Sequence, residues 1–309
     1  MTSTAECERY QDILAGAIVS FECFIGDVLM ILVIIGSSRI PSMKSSFGIL
    51  TINQNLAQII PCTACFIVFF FGLTLNWKPV LEYSYIIGGS TIVMLYIILI
   101  SFFIISFNRF CVIAFPIAYN VMFDEKFLVG ILILGWSIPL LLGMYLLVYH
   151  QCVYTLFHNG WFFDEMKTEK CGSLLTVFIT FQTVPVLAIV ITDITTLLLL
   201  VTLRKRIYRT KSVETKRREM NFARQVLVQG VVFLMHGFWY QGGRNVMPEM
   251  AENWKIFWTT SFSANLLHVF DPMAVFICNM EFRSWLRGGD MKKQSPKITT
   301  VGQLSTSMN

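Results

Sequence analysis

Residues 85–123 read YIIGGSTIVMLYIILISFFIISFNRFCVIAFPIAYNVMF, a long apolar run in which Arg109 is the one charged residue. Its first part, Tyr85–Phe107, contains no charged side chain, and it ends in Asn108 and a single arginine, Arg109. A helix needs about 20 apolar residues to cross the hydrocarbon core of a bilayer. The stretch therefore predicts a transmembrane helix that carries one arginine at its end.

The whole chain has the same character. Of its 309 residues, 55% are hydrophobic and only 14% are charged, and the mean hydropathy is +0.63. A soluble chain of this length would expose more charge. An all-α bundle of seven spans is predicted: Ile13–Gly36, Phe47–Leu75, Tyr85–Phe107, Phe127–Tyr149, Leu174–Leu203, Phe222–Tyr240 and Ile256–Cys278. Span six is the most polar of the seven, because it contains Arg224, Gln225, Gln229 and His236.

The distribution of Lys and Arg between the loops predicts the orientation of the bundle. Of the 24 basic residues, the N-terminal side of the bundle holds six and the other side holds 18, including nine between Leu203 and Val226. Cytoplasmic loops carry the excess of basic residues, so the N-terminus is expected outside. The segment before span one is short and acidic, which does not fit a cleavable signal peptide.

Short motifs along the chain resemble those of nematode serpentine chemoreceptors, most closely the Srx class of G-protein-coupled receptors. They are FGIL (47–50), NRFCVIAFPIAY (108–119), WFFDEMKTEKC (161–171), DITTLLLLVTLRKR (193–206) and DPMAVFICNMEFR (271–283). The resemblance implies a rhodopsin-like receptor domain over residues 1–279. A cytoplasmic tail follows over residues 280–309, with a short interfacial helix and then a disordered end.

The same resemblance implies the function. It implies a receptor that binds a small extracellular molecule and activates a heterotrimeric G protein, in the plasma membrane of a sensory neuron and its cilium. Beyond these partners and the lipid bilayer, we expect no nucleic acid, no cofactor, no metal and no enzymatic activity. The rival interpretation is a transporter or channel, but no inverted repeat or broken-helix pattern supports it. A retinal protein is disfavoured because span seven contains no lysine.

Arg109 stands where such receptors carry an acid–arginine–tyrosine triplet, although here Asn108 replaces the acid. The resemblance therefore implies a switch arginine, while the general alternative is a basic anchor for lipid headgroups. A buried guanidinium needs a partner, and Asp193 in span five lies at a similar depth. We predict an Arg109–Asp193 pair. The alternative is that Asp193 bonds only to threonines of its own helix.

Two further acids lie where related receptors carry asparagines. Asp27 follows Gly26 in span one, and Asp271 precedes Pro272 in span seven, whereas the usual acid of span two is replaced by Ile60. Two carboxylates in one apolar site favour holding one proton between them. Sharing between Asp27 and Asp271 is predicted, with two separately bonded acids as the alternative. A conventional sodium site is not expected.

The cysteines leave one pairing open. Cys62 and Cys65 lie within span two without a nearby histidine, so packing is expected rather than a metal site. Three cysteines face outward: Cys7, Cys152 and Cys171. A bridge between Cys152 and Cys171 is the simplest pairing, and a bridge from Cys7 to either of them is the alternative.

A ligand pocket is expected between the helices in the outer half of the bundle. Depths counted from Arg109 and Pro185, together with the outer ends of spans six and seven, give these candidates: Thr91, Leu95, Tyr96, Phe178, Phe181, Gln182, His236, Trp239, Tyr240, Trp258, Ser261 and Asn265. The set is aromatic and has no acid from span three. It favours a small neutral or weakly anionic ligand over a cationic amine.

Overall fold

The computed structural model describes residues 2–115, 118–149, 152, 154–158, 160–165, 183–199, 201–202 and 213–288. Its helices are α1 Thr2–Arg39, α2 Ser46–Phe66, α3 Lys78–Glu82, α4 Ser84–Ala114, α5 Tyr119–Met122, α6 Glu125–Met144, α7 Thr183–Leu199, α8 Val213–Val246, α9 Glu252–Thr259, α10 Ser261–Cys278 and α11 Met280–Leu286. A 3-10 turn, Pro41–Met43, joins α1 to α2. Both α2 and α6 continue into π-helical turns, Ile67–Thr74 and Tyr145–Tyr149.

Seven helices lie where the sequence predicts spans: α1, α2, α4, α6, α7, α8 and α10. Within the described residues, five segments are long and apolar enough to cross a bilayer: Glu6–Arg39, Ser46–Thr74, Ser84–Ala114, Lys126–Tyr149 and Glu252–Cys278. The described part of α7 is apolar but shorter, and α8 is long but more polar. The predicted helical bundle is confirmed.

Helix α1 begins well before the predicted span. It starts at Thr2, about three turns before Ile13, and this extension is anchored to the outer end of the bundle. The guanidinium of Arg9 donates to the backbone carbonyls of Leu73 and Thr74. Hydropathy alone does not predict this extension, because the contacts that hold it are polar.

The core of the bundle is formed by packing between pairs of long helices. Helix α1 packs against α2 and α10, α2 packs against α4, and α8 packs against α10. On the inner side, α11 closes the bundle by inserting Phe282, which is fully buried, against Gly36 of α1. A Cβ atom at Gly36 would lie 2.3 Å from the Phe282 ring, so only glycine fits there. The side chain of Asn279 caps α11 by accepting from the backbone N–H of Glu281.

The second outer loop adds a β-hairpin to the all-α bundle. Strands β1 (Tyr154–Phe157) and β2 (Phe162–Glu165) pair in antiparallel register, with Phe157 opposite Phe162. The turn between them contains Gly160 and Trp161, both with positive φ. The sequence did not predict this hairpin, because two four-residue strands give too short an alternation to detect.

The orientation of the bundle is testable with epitope tags. A tag placed directly after Leu203, in the basic segment between spans five and six, should be labelled only after cells are permeabilised. A tag at the N-terminus should be labelled on intact cells, because 18 of the 24 basic residues then face the cytoplasm. Labelling of the Leu203 tag without permeabilisation would overturn the orientation.

The outer cysteines yield a second prediction. Cys152 is disulfide-bonded, and Cys7 is free and exposed. The alternative in which Cys7 forms the bridge is therefore not found, while Cys171 lies outside the described residues. We expect a Cys152–Cys171 bridge, which closes a loop of about 20 residues and stabilises the fold by roughly 3 kcal/mol. Peptide mapping without reduction should recover one linked pair from these two positions, and a Cys7-containing pair would refute it.

Candidate functional site

A buried carboxylate, Asp271, joins three helices in the middle of the bundle. Its side chain is 2% exposed and lies on α10. Gln54 and Gln58 of α2 donate to Asp271 Oδ2 at 2.5 and 2.6 Å, and Gln229 of α8 donates to Oδ1 at 2.7 Å. A buried carboxylate needs such donors, because without them its desolvation is costly. Both oxygens of Asp271 are engaged.

The network extends beyond the carboxylate. His268, one turn earlier on α10, has its Nδ1 3.1 Å from Gln58 Oε1. Gln225 lies one turn before Gln229 on α8, and its Nε2 is 3.5 Å from Gln229 Oε1. We call these residues the Asp271 cluster: Gln54, Gln58, Gln225, Gln229, His268 and Asp271.

The predicted proton sharing between Asp27 and Asp271 is not the arrangement found among the described residues. Asp27 accepts a hydrogen bond from Thr63 of α2 at 2.9 Å, whereas Asp271 is bound by the three glutamines. Each acid therefore has its own donors, which is the alternative considered from the sequence. Asp27 and Asp271 belong to helices that adjoin, but their hydrogen bonds to α2 go to different residues of that helix.

At the inner end of α4, Arg109 and Asn108 have different partners. The Cζ atom of Arg109 lies 3.4 Å from the ring centroid of Phe47, in a cation–π contact with α2. Asn108 is fully buried and donates to the hydroxyl of Tyr119 at 3.3 Å. That hydroxyl is 2.5 Å from Ser46 Oγ. The short inner helix α5 is thereby tied to both α2 and α4.

The predicted Arg109–Asp193 pair is not the arrangement found. Asp193 of α7 accepts a hydrogen bond from Ser106 of α4, and its other carboxylate oxygen faces Gly230 of α8. Ser106 lies three residues before Arg109, about 4.5 Å further outward along the helix. The expected depth was nearly right, but Asp193 meets the neighbouring turn of α4. A Cβ atom at Gly230 would lie 2.8 Å from Asp193 Oδ2.

The candidate pocket residues of α8, α9 and α10 are largely bonded to one another. His236 lies 6.2 Å from Tyr240 between ring centroids, and its Nδ1 has no hydrogen-bond partner among the described residues. Trp239 donates to the carbonyl of Trp258 at 3.0 Å. A second series of hydrogen bonds involves α10. Ser261 donates to the Trp161 carbonyl, Asn265 donates to the Ser261 carbonyl, and Cys23 of α1 donates to Asn265.

The other candidates lie on α4 or outside the described residues. On α4, Thr91 donates to the carbonyl of Ile87, and Leu95 is half-buried. Tyr96 is buried and lines a small cavity towards α6 with Gly89, Gly143 and Leu147. The span-five candidates Phe178, Phe181 and Gln182 lie outside the described residues. Their convergence with His236 and Tyr240 stays a prediction.

Comparison with known proteins identifies the family. A family described as serpentine type 7TM GPCR chemoreceptor Srx matches residues 21–279. The chain belongs to the Srx family. Serpentine receptor class X-43 of Caenorhabditis elegans is 45% identical to this receptor over 292 residues, which are 94% of this chain and 92% of that protein. The receptor is thus a member of a G-protein-coupled chemoreceptor family and a multi-pass membrane protein.

The fold of the receptor is rhodopsin-like. The crystal structure of squid rhodopsin superposes with a TM-score of 0.71, over 91% of this chain and 85% of that chain. The two sequences are only 16% identical, so this likeness shows the fold alone. The predicted fold class and the Srx resemblance are both confirmed.

Sequence reasoning missed several buried polar residues of the receptor. Glu22 of α1 is 7% exposed, and neither carboxylate oxygen has a hydrogen-bond partner among the described residues. A lone acid inside an apolar span was the available signal. Gln54 and Gln58 are also spaced four residues apart, which places both amides on one face of α2. That spacing indicated a shared partner on another helix.

Proposed function

We propose that this receptor detects a small extracellular molecule and activates a heterotrimeric G protein at its cytoplasmic side. The observation that carries the proposal is the Asp271 cluster. Its polar side chains hydrogen-bond one another across α2, α8 and α10, so they connect helices and do not line a polar path. A transporter or channel would need such a path through the bundle.

The chemistry of the outer half supports a small ligand of low polarity. The candidate pocket residues are mainly aromatic, and Trp239, Ser261 and Asn265 already donate hydrogen bonds within the protein. Among the described residues, His236 Nδ1 has no such partner. A strongly polar ligand would have to replace these bonds, which costs binding free energy. The proposed ligand is therefore neutral or weakly anionic. We place the receptor in the plasma membrane of a sensory neuron, within its cilium, and assign it no enzymatic activity.

A chemical screen with a signalling readout tests this function. The receptor is expressed in a heterologous cell with a panel of Gα subunits, and intracellular second messengers are recorded alongside membrane current. At least one small neutral or weakly anionic compound is expected to raise the second messenger without a direct current. A compound that evokes ligand-gated current or solute flux, with no Gα dependence, would contradict the proposal.

A further inference from the structure

The turn of the outer hairpin holds a large side chain in an unfavourable backbone conformation. Trp161 has φ of +48°, in the left-handed region that a bulky residue rarely adopts. Gly160 before it has φ of +113°, and a Cβ atom there would lie 2.5 Å from Ile256 of α9. Such strain persists only where surrounding contacts hold it, and it is concentrated at functional sites. The contacts of Trp161 must therefore hold this backbone conformation.

The indole of Trp161 fills a site built by other elements. It is 2% exposed and packs against Trp254 and Phe257 of α9, with ring centroids at 4.9 and 5.8 Å. Its N–H donates to Asp12 Oδ1 of α1 at 2.6 Å. The Trp161 carbonyl accepts from Ser261 of α10 at 2.5 Å. We call Asp12, Trp254, Phe257 and Ser261 the Trp161 socket.

The socket has the features of a binding site for one chemical class. Aromatic walls favour a flat apolar ring, and the Asp12 carboxylate requires an N–H donor at the edge of that ring. The four residues that define the socket lie on α1, α9 and α10, so withdrawal of the Trp161 side chain would leave them in place. From the hairpin turn, His158 Nδ1 also lies 3.7 Å from Asp12 Oδ1. The hairpin has only two short strands, which hold poorly by themselves. The contacts of Trp161 with the socket therefore help to hold the turn, beside the packing of β1 on α4.

We propose that the Trp161 socket is a second ligand site, which takes flat aromatic molecules with one N–H donor, the indole class, in competition with Trp161. Without a ligand, the Trp161 side chain occupies the socket. Because it is covalently linked to the receptor, its effective concentration there is of the order of millimolar. A free ligand therefore binds the intact receptor weakly and binds a receptor without Trp161 more tightly. Any effect of this site on signalling rests on the proposed function, whereas binding to the socket does not.

The test uses the full-length receptor in lipid nanodiscs and measures its melting temperature. Trp161→Ala should lower it by about 5 °C or more, because a large buried side chain is removed. Adding 3-methylindole, which has the structure of the tryptophan side chain, should raise the melting temperature of Trp161→Ala part of the way back. It should do so at lower concentrations than those that change the melting temperature of wild type. The sulfur analogue 3-methylbenzothiophene, which has no N–H, should restore less. Trp77→Ala removes a tryptophan that is 54% exposed, and it should show no such response.

Two further variants keep the test decisive if Trp161→Ala fails to fold. Asp12→Ala removes the acceptor of the indole N–H but leaves the core intact, and it should respond equally to both probes. Trp161→Phe should fold and respond to 3-methylindole at lower concentrations than wild type. Equal responses in Trp161→Ala and Trp77→Ala, or no response to 3-methylindole in any variant, would overturn the proposal. Because melting is read without a G protein, failure here is distinct from failure of the signalling function.

Discussion

A receptor in which Arg109 is replaced by alanine is expected to reach the cell surface and to lose ligand-dependent G-protein activation to about a tenth of wild type or less. Arg109 lies at the inner end of α4, over the ring of Phe47. The lost cation–π contact contributes only about 0.5–2 kcal/mol, so folding should be retained. The guanidinium has five N–H donors in a rigid fork, and no uncharged side chain replaces it at a protein interface.

The comparison with Arg39→Ala separates this role from a general effect of basic charge. Arg39 ends α1 on the same side of the bundle and is exposed. Its removal takes away one positive charge but not the contact with Phe47. Surface labelling and second-messenger responses should therefore be near wild type for Arg39→Ala. Equal losses in both variants would mean that Arg109 is only a basic anchor.

Replacing Gln229 by leucine is expected to raise basal signalling by roughly tenfold. Gln229 is the member of the Asp271 cluster through which α8 donates to α10, at 2.7 Å from Asp271 Oδ1. A hydrogen bond to a charged group contributes about 1.5–3 kcal/mol, which corresponds to about tenfold or more in a conformational equilibrium. Leucine keeps the size and helix propensity of the side chain, so the change removes mainly this bond. If the bond restrains α8 at rest, its loss favours the active state.

The measurement is basal second-messenger level at matched surface expression, and the matched control is Gln241→Leu. Gln241 lies on the same helix with an exposed side chain, so its replacement should leave basal signalling unchanged. Asp271→Asn should act in the same direction as Gln229→Leu, because the amide offers one oxygen acceptor to three donors. Lower basal and agonist responses in Gln229→Leu would assign the bond to the active state and refute the restraint.

The sequence predicted the helices well because the bilayer imposes a strong constraint. Backbone groups inside a membrane must bond within their own helix, so hydropathy locates the spans. The polarity of span six, which distinguishes it from the other six spans, has a structural cause. Gln225 and Gln229 are buried in the Asp271 cluster, where their amides have partners on α8 and α10.

Side-chain pairings were harder to predict, since they depend on helix rotation as well as depth. Successive residues of a helix point about 100° apart, so two acids or an acid and a base at one depth can face different neighbours. Asp193 has nearly the expected depth but meets Ser106, and Asp27 meets Thr63. The burial of Trp161 depends on how the outer loop folds over the bundle, which no periodicity in the sequence reports.

The most direct test of ligand-driven G-protein activation is nucleotide exchange with purified components. The receptor is placed in lipid nanodiscs with a heterotrimeric G protein, and the rate of GTP analogue binding is followed with and without a compound from the screen. We expect the compound to accelerate exchange by wild type and not by Arg109→Ala, although both receptors bind it equally. A compound that binds wild type and accelerates exchange on no G protein, while driving solute flux across liposomes, would contradict ligand-driven G-protein activation by this receptor.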